Sequence, residues 1–221
     1  MTLVRPAFPL VLAAPSGAGK TTLARMLVER TDDVVFSISA TTRSPRHGER
    51  DGRDYHFVDN PTFDRMIERA ELAEWAVVHG NRYGTPRREI AAALERGRTV
   101  VLDIDVQGAR QVRRVFNDAL LIFVLPPSAE ELVRRLSDRA SEDPEARRRR
   151  LTNAQREIEA APEFDFVILN DDLERAYGRV EAVLRSEWSR VARTRDLGRF
   201  TRELVRDLQD LIQQDASTST D

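Results

Sequence analysis

The sequence feature that most constrains the fold is a glycine-rich loop that stands between a predicted strand and a predicted helix. The loop reads Ala14-Pro15-Ser16-Gly17-Ala18-Gly19-Lys20-Thr21-Thr22. It follows the apolar run 10–13, and apolar residues then recur at helical spacing over 23–27. In this order, strand, loop and helix point backbone N–H groups at the phosphates of a nucleotide. The sequence therefore predicts a nucleotide phosphate site at the start of that helix.

Lys20 is the only lysine among 35 lysine and arginine residues, so the other 34 are arginine. Lysine offers a compact charge on a thin stem, whereas the planar arginine fork is too wide for a loop that closes around a phosphate. We expect Lys20 to bridge the β- and γ-phosphates and Thr21 to ligate Mg²⁺. Two observations weaken this prediction: the strict motif has glycine where this chain has Ala14, and a glycine-rich turn can simply cap a helix.

Four continuous apolar runs predict buried strands, at 10–13, 100–105, 120–125 and 166–169. Predicted helices separate them, and one begins at the capping box Ser128-Ala129-Glu130-Glu131. This alternation predicts an α/β protein with the three-layer fold of P-loop NTPases and a parallel sheet core.

Asp103 and Asp105 lie at the end of the second apolar run, where ligands gather in open α/β sheets. Asp103 is our candidate for holding Mg²⁺, directly or through water. The alternative is that these carboxylates are structural.

Two segments interrupt the core pattern. Short, mixed elements between Ser39 and Arg98 predict an inserted lobe, and the charged stretch between Arg134 and Pro162 predicts a lid made of two helices. The predicted division is a core of 1–38, 99–133 and 163–212, a lobe of 39–98, a lid of 134–162 and a disordered tail of 213–221.

Charge and composition narrow the functional class. The formal charge is −2, with 35 basic against 37 acidic residues, so no overall basic field favours nucleic acid. There is no cysteine and there are three scattered histidines, which argues against thiolate or histidine-rich metal sites. No apolar run approaches the roughly 18 residues of a membrane span. We expect a cytoplasmic protein that binds small molecules.

Several further segments resemble guanylate kinases of the bacterial type. They are Phe36-Ser37-Ile38-Ser39-Ala40-Thr41-Thr42-Arg43-Ser44-Pro45-Arg46, Gly52-Arg53-Asp54-Tyr55, Glu74-Trp75, Tyr83-Gly84-Thr85 and Leu102-Asp103-Ile104-Asp105-Val106-Gln107-Gly108. The resemblance covers roughly residues 8 to 190. It implies an enzyme that transfers the γ-phosphoryl group of ATP to GMP or dGMP, with Mg²⁺ as cofactor.

The resemblance places the acceptor nucleotide in the inserted lobe. It implies that the GMP phosphate is held by Arg43, Arg46, Tyr55 and Tyr83, and the guanine by Ser39, Glu74, Thr85 and Asp105. An ionised Glu74 can accept hydrogen bonds from guanine N1–H and the 2-amino group. Adenine lacks the N1–H, which would leave a buried acceptor unpaired at a cost of roughly 1 to 3 kcal/mol. Without the resemblance, these residues would read as surface charges, core tyrosines and an ordinary surface acid.

For the donor, the resemblance implies that loop 14–22, Arg135, Arg139 and Asn170 contact ATP, with Asn170 near the adenine. It also implies that Arg150 bridges the phosphates of donor and acceptor. The predicted catalytic residues are thus Lys20, Arg43, Arg139 and Arg150. Asn170 has an alternative role as a helix cap.

Two other functions and one partner stay open. The chain could be a non-catalytic binding module related to guanylate kinases, or a P-loop kinase that acts on a phosphorylated sugar. Near the C-terminus, an apolar stripe is typical of a helix that packs on its own domain or on a partner helix, which would make a homo-oligomer. Its residues are Leu197, Phe200, Leu204, Leu208 and Leu211.

Overall fold

The computed structural model describes residues 4–78, 80–137 and 144–218, which form two compact units. Ala7–Glu181 make up the larger unit, and the smaller consists of the described residues before Ala7 and after Glu181. The sequence places all of 163–212 in the core, so the division found at 181 differs from the predicted one.

The helices and strands are numbered in chain order. They are β1 (Pro9–Ala13), α1 (Lys20–Arg30), β2 (Val34–Phe36), β3 (Ala40–Thr41), β4 (His56–Phe57), α2 (Asn60–Glu68), β5 (Leu72–Val78), β6 (Asn81–Pro86), α3 (Arg87–Glu95), β7 (Thr99–Asp103), α4 (Val106–Val115), β8 (Leu120–Leu125), α5 (Ala129–Ser137), α6 (Pro144–Glu159), β9 (Phe166–Leu169), α7 (Leu173–Trp188) and α8 (Leu197–Thr218).

The larger unit is built on a five-stranded sheet in the order β2-β7-β1-β8-β9, and all its strand pairs are parallel. Every residue of β1 is buried, which explains why this strand is apolar without alternation. On one face, Val11 and Val100 pack in a cluster with residues of α3 and α4. The sheet confirms the predicted α/β class. Its order also places the end of β7 beside the glycine-rich loop that follows β1.

The predicted lobe carries a second sheet in the order β4-β3-β6-β5. Its strands β3 and β5 each pair antiparallel with β6. Helix α2 is capped at its N-terminus by Asp59, whose side chain accepts a hydrogen bond from the Thr62 N–H at 2.8 Å. Phe63 and Met66 of that helix pack on Ala40 and Leu72, so the lobe has an apolar core of its own.

The predicted lid contains α5 and α6. Helix α5 starts at Ala129, before the predicted boundary at 134, because the Ser128 hydroxyl accepts from the Glu131 N–H at 3.2 Å in the predicted capping box. Leu132 and Leu136 of α5 pack against Leu151 and Ala154 of α6. Arg139 lies outside the described residues.

Helix α8 belongs to the smaller unit and runs on to Thr218, past the point where a disordered tail is predicted to begin. Residues 213–218 contain neither glycine nor proline, so nothing in them ends the helix. Leu204, Leu208 and Leu211 are each half exposed or more. None of the helices described here has both the length and the apolar character needed to cross a membrane.

Candidate active site

The phosphate loop connects β1 to α1 and contains two glycines with left-handed backbone. Gly17 has φ 86° and Gly19 has φ 90°. A Cβ atom on Gly19 would lie 2.3 Å from Nδ2 of Asn170. Glycine is therefore required at residue 19 both by its dihedral angle and by the space available.

Asn170 supports the loop from beneath. Its side chain is buried, and Nδ2 donates to the Ala18 carbonyl at 2.7 Å. In this structure the amide donor of Asn170 is thus used on the loop, and the position near the adenine of ATP that the resemblance implies stays a prediction. The physical reason is that a buried carbonyl needs a donor, and Asn170 supplies it.

Lys20 begins α1 and points at the carboxyl end of the sheet. Its Nζ atom lies 2.7 Å from Oδ1 of Asp103 and donates to the Ile104 carbonyl at 2.8 Å. Thr21, the next residue, is exposed. The structure thus brings together the three residues predicted for the γ-phosphate and the metal.

The residues predicted for Mg²⁺ have suitable chemistry. Within the described parts of the chain, no group of three or more His, Cys, Asp or Glu side chains forms a metal site. Mg²⁺ in phosphate-transfer sites usually takes one or two protein ligands and completes its shell with phosphates and water. The Thr21 hydroxyl and the Asp103 carboxylate are hard oxygen donors of that kind.

A cavity of about 580 Å³ opens over the loop. It is lined by Ala14–Thr22 and, from elsewhere in the chain, by Val78, Asp105, Arg135 and Glu157. Arg135 donates through Nε to Glu131 at 2.7 Å and through Nη2 to the Asn170 carbonyl at 3.2 Å, so its guanidinium is held in place beside the cavity. Arg150 is half-buried on α6.

Glu157 of α6 is a lining residue that the sequence analysis missed. Burial raises the pKa of its carboxyl, against a hydrogen bond from the Ser16 backbone, and the charge of Asp105 raises it further. Glu157 lies two turns after Arg150 on the same face of α6. This shared face was the signal from which Glu157 could have been predicted as a site residue. The lid thus brings an acid to the phosphate loop.

A second cavity, of about 480 Å³, lies between the sheet and the lobe. Of the residues predicted for GMP, Ser39, Tyr55 and Thr85 line it, and Arg25 and Arg53 line it as well without having been predicted. Thr21 lines both cavities. The two cavities therefore meet beside the phosphate loop.

The predicted acceptor arginines are arranged around a carboxylate. Arg43 donates through Nη1 and Nη2 to the two oxygens of Glu49, each at 2.9 Å, and the Arg46 N–H donates to Glu49 at 2.7 Å. The hydrogen bonds with Arg43 lower the pKa of Glu49, and those with Glu49 raise the pKa of Arg43. Sequence reasoning missed Glu49, because only its partners give it significance.

Aromatic rings surround the guanidinium of Arg43 on the side of the lobe strands. This guanidinium lies 5.3 Å from the ring centroid of Tyr55, which contacts Tyr83 edge to face at 6.1 Å. The structure thus gathers Arg43, Tyr55 and Tyr83, as the resemblance implies.

Glu74 is the buried acid of the lobe, with 6% of the residue exposed. Burial raises its pKa to about 7, and the charge of Asp105 adds to that shift. Oε1 accepts from the Thr85 hydroxyl at 2.6 Å. The Thr85 hydroxyl, which the resemblance assigns to the guanine, thus donates its proton to Glu74 here, since buried polar groups pair with one another.

Asp105 is the N-cap of α4. Its Oδ1 atom accepts from the Gly108 N–H at 2.7 Å, which leaves Oδ2 for another partner. Asp105 lines the cavity over the phosphate loop. A Cβ atom on Gly108 would lie 3.2 Å from Oε2 of Glu74, so α4 approaches that carboxylate closely.

A phosphate loop after a parallel strand, a lobe with a second cavity and a lid arginine together define a P-loop phosphotransferase. The Guanylate kinase family model matches residues 7–187. The chain therefore belongs to the guanylate kinase family.

Individual relatives agree with this assignment. A guanylate kinase of Dechloromonas aromatica is 55% identical over 176 residues, which are 80% of this chain and 87% of that protein. A guanylate kinase of Myxococcus xanthus is 51% identical over 187 residues, 84% of this chain and 90% of that protein. The crystal structure of guanylate kinase from Anaplasma phagocytophilum superposes with a TM-score of 0.71 at 35% identity, and the match covers 90% of this chain and 95% of that one.

These comparisons confirm the family and the fold class predicted from the sequence. They give no support to the two alternatives, a non-catalytic binding module and a kinase of a phosphorylated sugar.

Proposed function

We propose that the loop 14–22 binds the phosphates of ATP and that the lobe binds GMP, so that the two nucleotides meet end to end at Thr21. The activity is that of a guanylate kinase, which transfers the γ-phosphoryl group of ATP to GMP or dGMP and yields ADP and GDP or dGDP. One observation carries the assignment of sites: Thr21 lines both the cavity over the phosphate loop and the cavity of the lobe.

On the donor side, loop N–H groups and the start of α1 face the β-phosphate, and Lys20 neutralises charge between the β- and γ-phosphates. Arg135 adds a cation from the lid. Thr21 and Asp103 would hold Mg²⁺, directly or through water. When bound, the ion supplies neutralisation of the charge that develops on the phosphoryl oxygens.

On the acceptor side, the forks of Arg43 and Arg46 and the hydroxyls of Tyr55 and Tyr83 hold the GMP phosphate. In this structure the Glu49 carboxylate already sits between the two arginines, on both Nη atoms of Arg43 and on the backbone N–H of Arg46. An anion is thus accommodated at this place. The GMP phosphate therefore competes with Glu49 for the guanidinium of Arg43.

The base is read by Glu74, with Ser39 and Asp105 beside it. A carboxylate whose pKa is about 7 ionises readily when two donors of guanine approach it. Thr85 keeps one oxygen of Glu74 in place by its 2.6 Å hydrogen bond. This arrangement rejects adenine, which offers no N1–H to the buried acceptor.

The chemical step needs no general base, because the attacking oxygen belongs to a phosphate that is already anionic near pH 7. Catalysis then depends on alignment and on cancelling the repulsion between two polyanions. Lys20, Arg43 and the lid arginines Arg139 and Arg150 supply the positive charge. Closure of the lid and the lobe excludes water and so protects ATP from hydrolysis.

The partners are small molecules, ATP and GMP or dGMP. We place the enzyme in the cytoplasm, where these nucleotides are available. The test is an assay of ADP release with ATP and each nucleoside monophosphate in turn. GMP and dGMP should be used far better than AMP, CMP or UMP. Equal use of all five, or no use of GMP, would overturn the proposal.

We also propose that α8 pairs with the same helix of a second copy. Leu204, Leu208 and Leu211 are each half exposed or more on one face. At 100° per residue, these three leucines lie within about 60° of one another around the helix, so they form one apolar stripe of the kind that packs against a partner helix. Removing residues from Gly198 onward should halve the mass in solution. An unchanged mass would refute self-association through this helix.

A further inference from the structure

The side chain of Gln111 binds the backbone of Trp75 in both directions. The Trp75 N–H donates to Oε1 of Gln111 at 3.1 Å, and Nε2 of Gln111 donates to the Trp75 carbonyl at 3.1 Å. A primary amide here forms the same pair of hydrogen bonds that a residue of a neighbouring strand would form. Gln111 lies on α4 and Trp75 on β5, so this pair joins the core to the lobe.

Trp75 needs such a partner because β5 is the last strand of the lobe sheet. On its inner side β5 pairs with β6, and Trp75 stands opposite Gly84. The outer side of an edge strand presents N–H and carbonyl groups without a strand partner. The register of β5 also shifts between Leu72 and Glu74, so regular pairing alone does not fix this part of the strand.

Glu74 is the residue immediately before Trp75, and the same helix faces it. Gly108 and Gln111 are three positions apart on α4 and therefore share one face of the helix. At Gly108 the lack of a side chain leaves space for Oε2 of Glu74, since a Cβ atom would lie 3.2 Å from it. Helix α4 thus leaves space for the Glu74 carboxylate at Gly108 and binds strand β5 through Gln111.

We propose that Gln111 is a positioning residue for guanine selectivity, which sets the depth of the Glu74 carboxylate by fixing the backbone of Trp75. This inference rests on the proposed role of Glu74 as the group that reads guanine. Gln111 itself makes no contact with the nucleotide. It acts only through the strand that carries Glu74.

The main test replaces Gln111 with methionine, which has a similar length and no amide. Gln111→Met should raise the KM for GMP about tenfold, since small misplacements of binding groups are costly, and should leave kcat and the KM for ATP within about twofold. Gln107→Met is the matched control, because Gln107 is exposed on the same helix one turn earlier. It should behave like the wild type.

A double-mutant cycle separates positioning from a general structural effect. If Gln111 acts through Glu74, then Glu74→Gln combined with Gln111→Met should have the same preference for GMP over AMP as Glu74→Gln alone. An additive loss in the double variant would overturn the inference, as would an unchanged KM for GMP in Gln111→Met.

Gln111→Glu provides a second variant if the methionine chain does not fold. It keeps an acceptor for the Trp75 N–H and loses the donor to the carbonyl, so an intermediate KM for GMP is expected, and a wild-type value would refute the inference. If Glu74→Gln loses its preference for GMP while both Gln111 variants behave like the wild type, only this inference is refuted and the proposed role of Glu74 stands. An unaltered preference in Glu74→Gln would refute the proposed role of Glu74 and, with it, this inference.

Discussion

The phosphate loop and the acceptor lobe prepare for a phosphate in opposite ways. The loop uses backbone geometry: Gly17 and Gly19 adopt left-handed dihedral angles, and one lysine follows them. The lobe uses side chains that are already paired, as in Arg43 with Glu49 and Glu74 with Thr85. A backbone site depends on shape and tolerates few changes, whereas a side-chain site depends on charge and should respond to pH and to conservative substitutions.

Lys20→Arg should have the largest effect and tests whether the loop needs a compact charge. A guanidinium cannot replace an ammonium that lies 2.7 Å from Asp103 and 2.8 Å from the Ile104 carbonyl. We expect kcat to fall about a thousandfold or more with the fold intact. The measurements are ADP release and thermal unfolding, with Arg96→Lys on the surface as the control. Near-normal turnover would refute the argument from the single lysine.

Gly19→Ala tests whether the shape of the loop matters as much as its charge. The added Cβ atom would lie 2.3 Å from Nδ2 of Asn170, at a φ of 90°. We expect kcat/KM for ATP to fall about a hundredfold, because the loop must move away from its support. Gly97→Ala is the matched control, since Gly97 also has a positive φ of 73° but nothing lies within 4 Å of its Cβ position. Equal effects of the two substitutions would show that only the dihedral angle matters.

Glu74→Gln tests whether the lobe recognises guanine through the charge of a side chain. The neutral amide cannot accept both guanine donors, so the ratio of kcat/KM for GMP to that for AMP should fall about thirtyfold. Kinetics with both nucleotides at saturating ATP measure this ratio, and KM for ATP serves as the internal control. An unchanged ratio would mean that Glu74 does not read the base.

The pH dependence of GMP binding should be the smallest of these effects. Burial raises the pKa of Glu74 to about 7, so at pH 6 most of this carboxyl is protonated, while at pH 8 most of it is ionised and able to accept from guanine. The KM for GMP should therefore fall about tenfold from pH 6 to pH 8 in the wild type. In Glu74→Gln, the pH dependence that comes from the GMP phosphate itself, whose second pKa is about 6, should remain. The part of the pH dependence that comes from Glu74 should be lost. Parallel profiles in the two proteins would contradict the assignment.

The parts of the fold that could be predicted are those with local signals. Continuous apolar runs indicated β1, β7, β8 and β9, and the capping box indicated the start of α5. Strand β2 was not predicted, because Val34–Phe36 has three residues, too few for a periodic pattern. The helical conformation of residues 213–218 was not predicted, because a polar composition does not by itself distinguish helix from coil.

The candidate site likewise contains residues that a local sequence signal predicts and residues that no such signal predicts. The contiguous loop was found by its motif, and the family segments pointed to Arg43, Tyr55, Glu74 and Tyr83. Glu49, Glu157 and Gln111 are ordinary polar residues in the sequence, and each gains its significance from a partner that the fold supplies. The position of Asn170 beneath the loop follows from the end of β9 and not from any neighbouring residue.

That position has a consequence for how the protein can be divided. The amide that steadies Ala18 comes from Asn170, which follows the last strand of the sheet. A fragment that stopped short of Asn170 would contain the entire nucleotide-binding motif without its support. Experiments that split, permute or graft this chain should therefore treat the first thirty residues and β9 with Asn170 as one inseparable module.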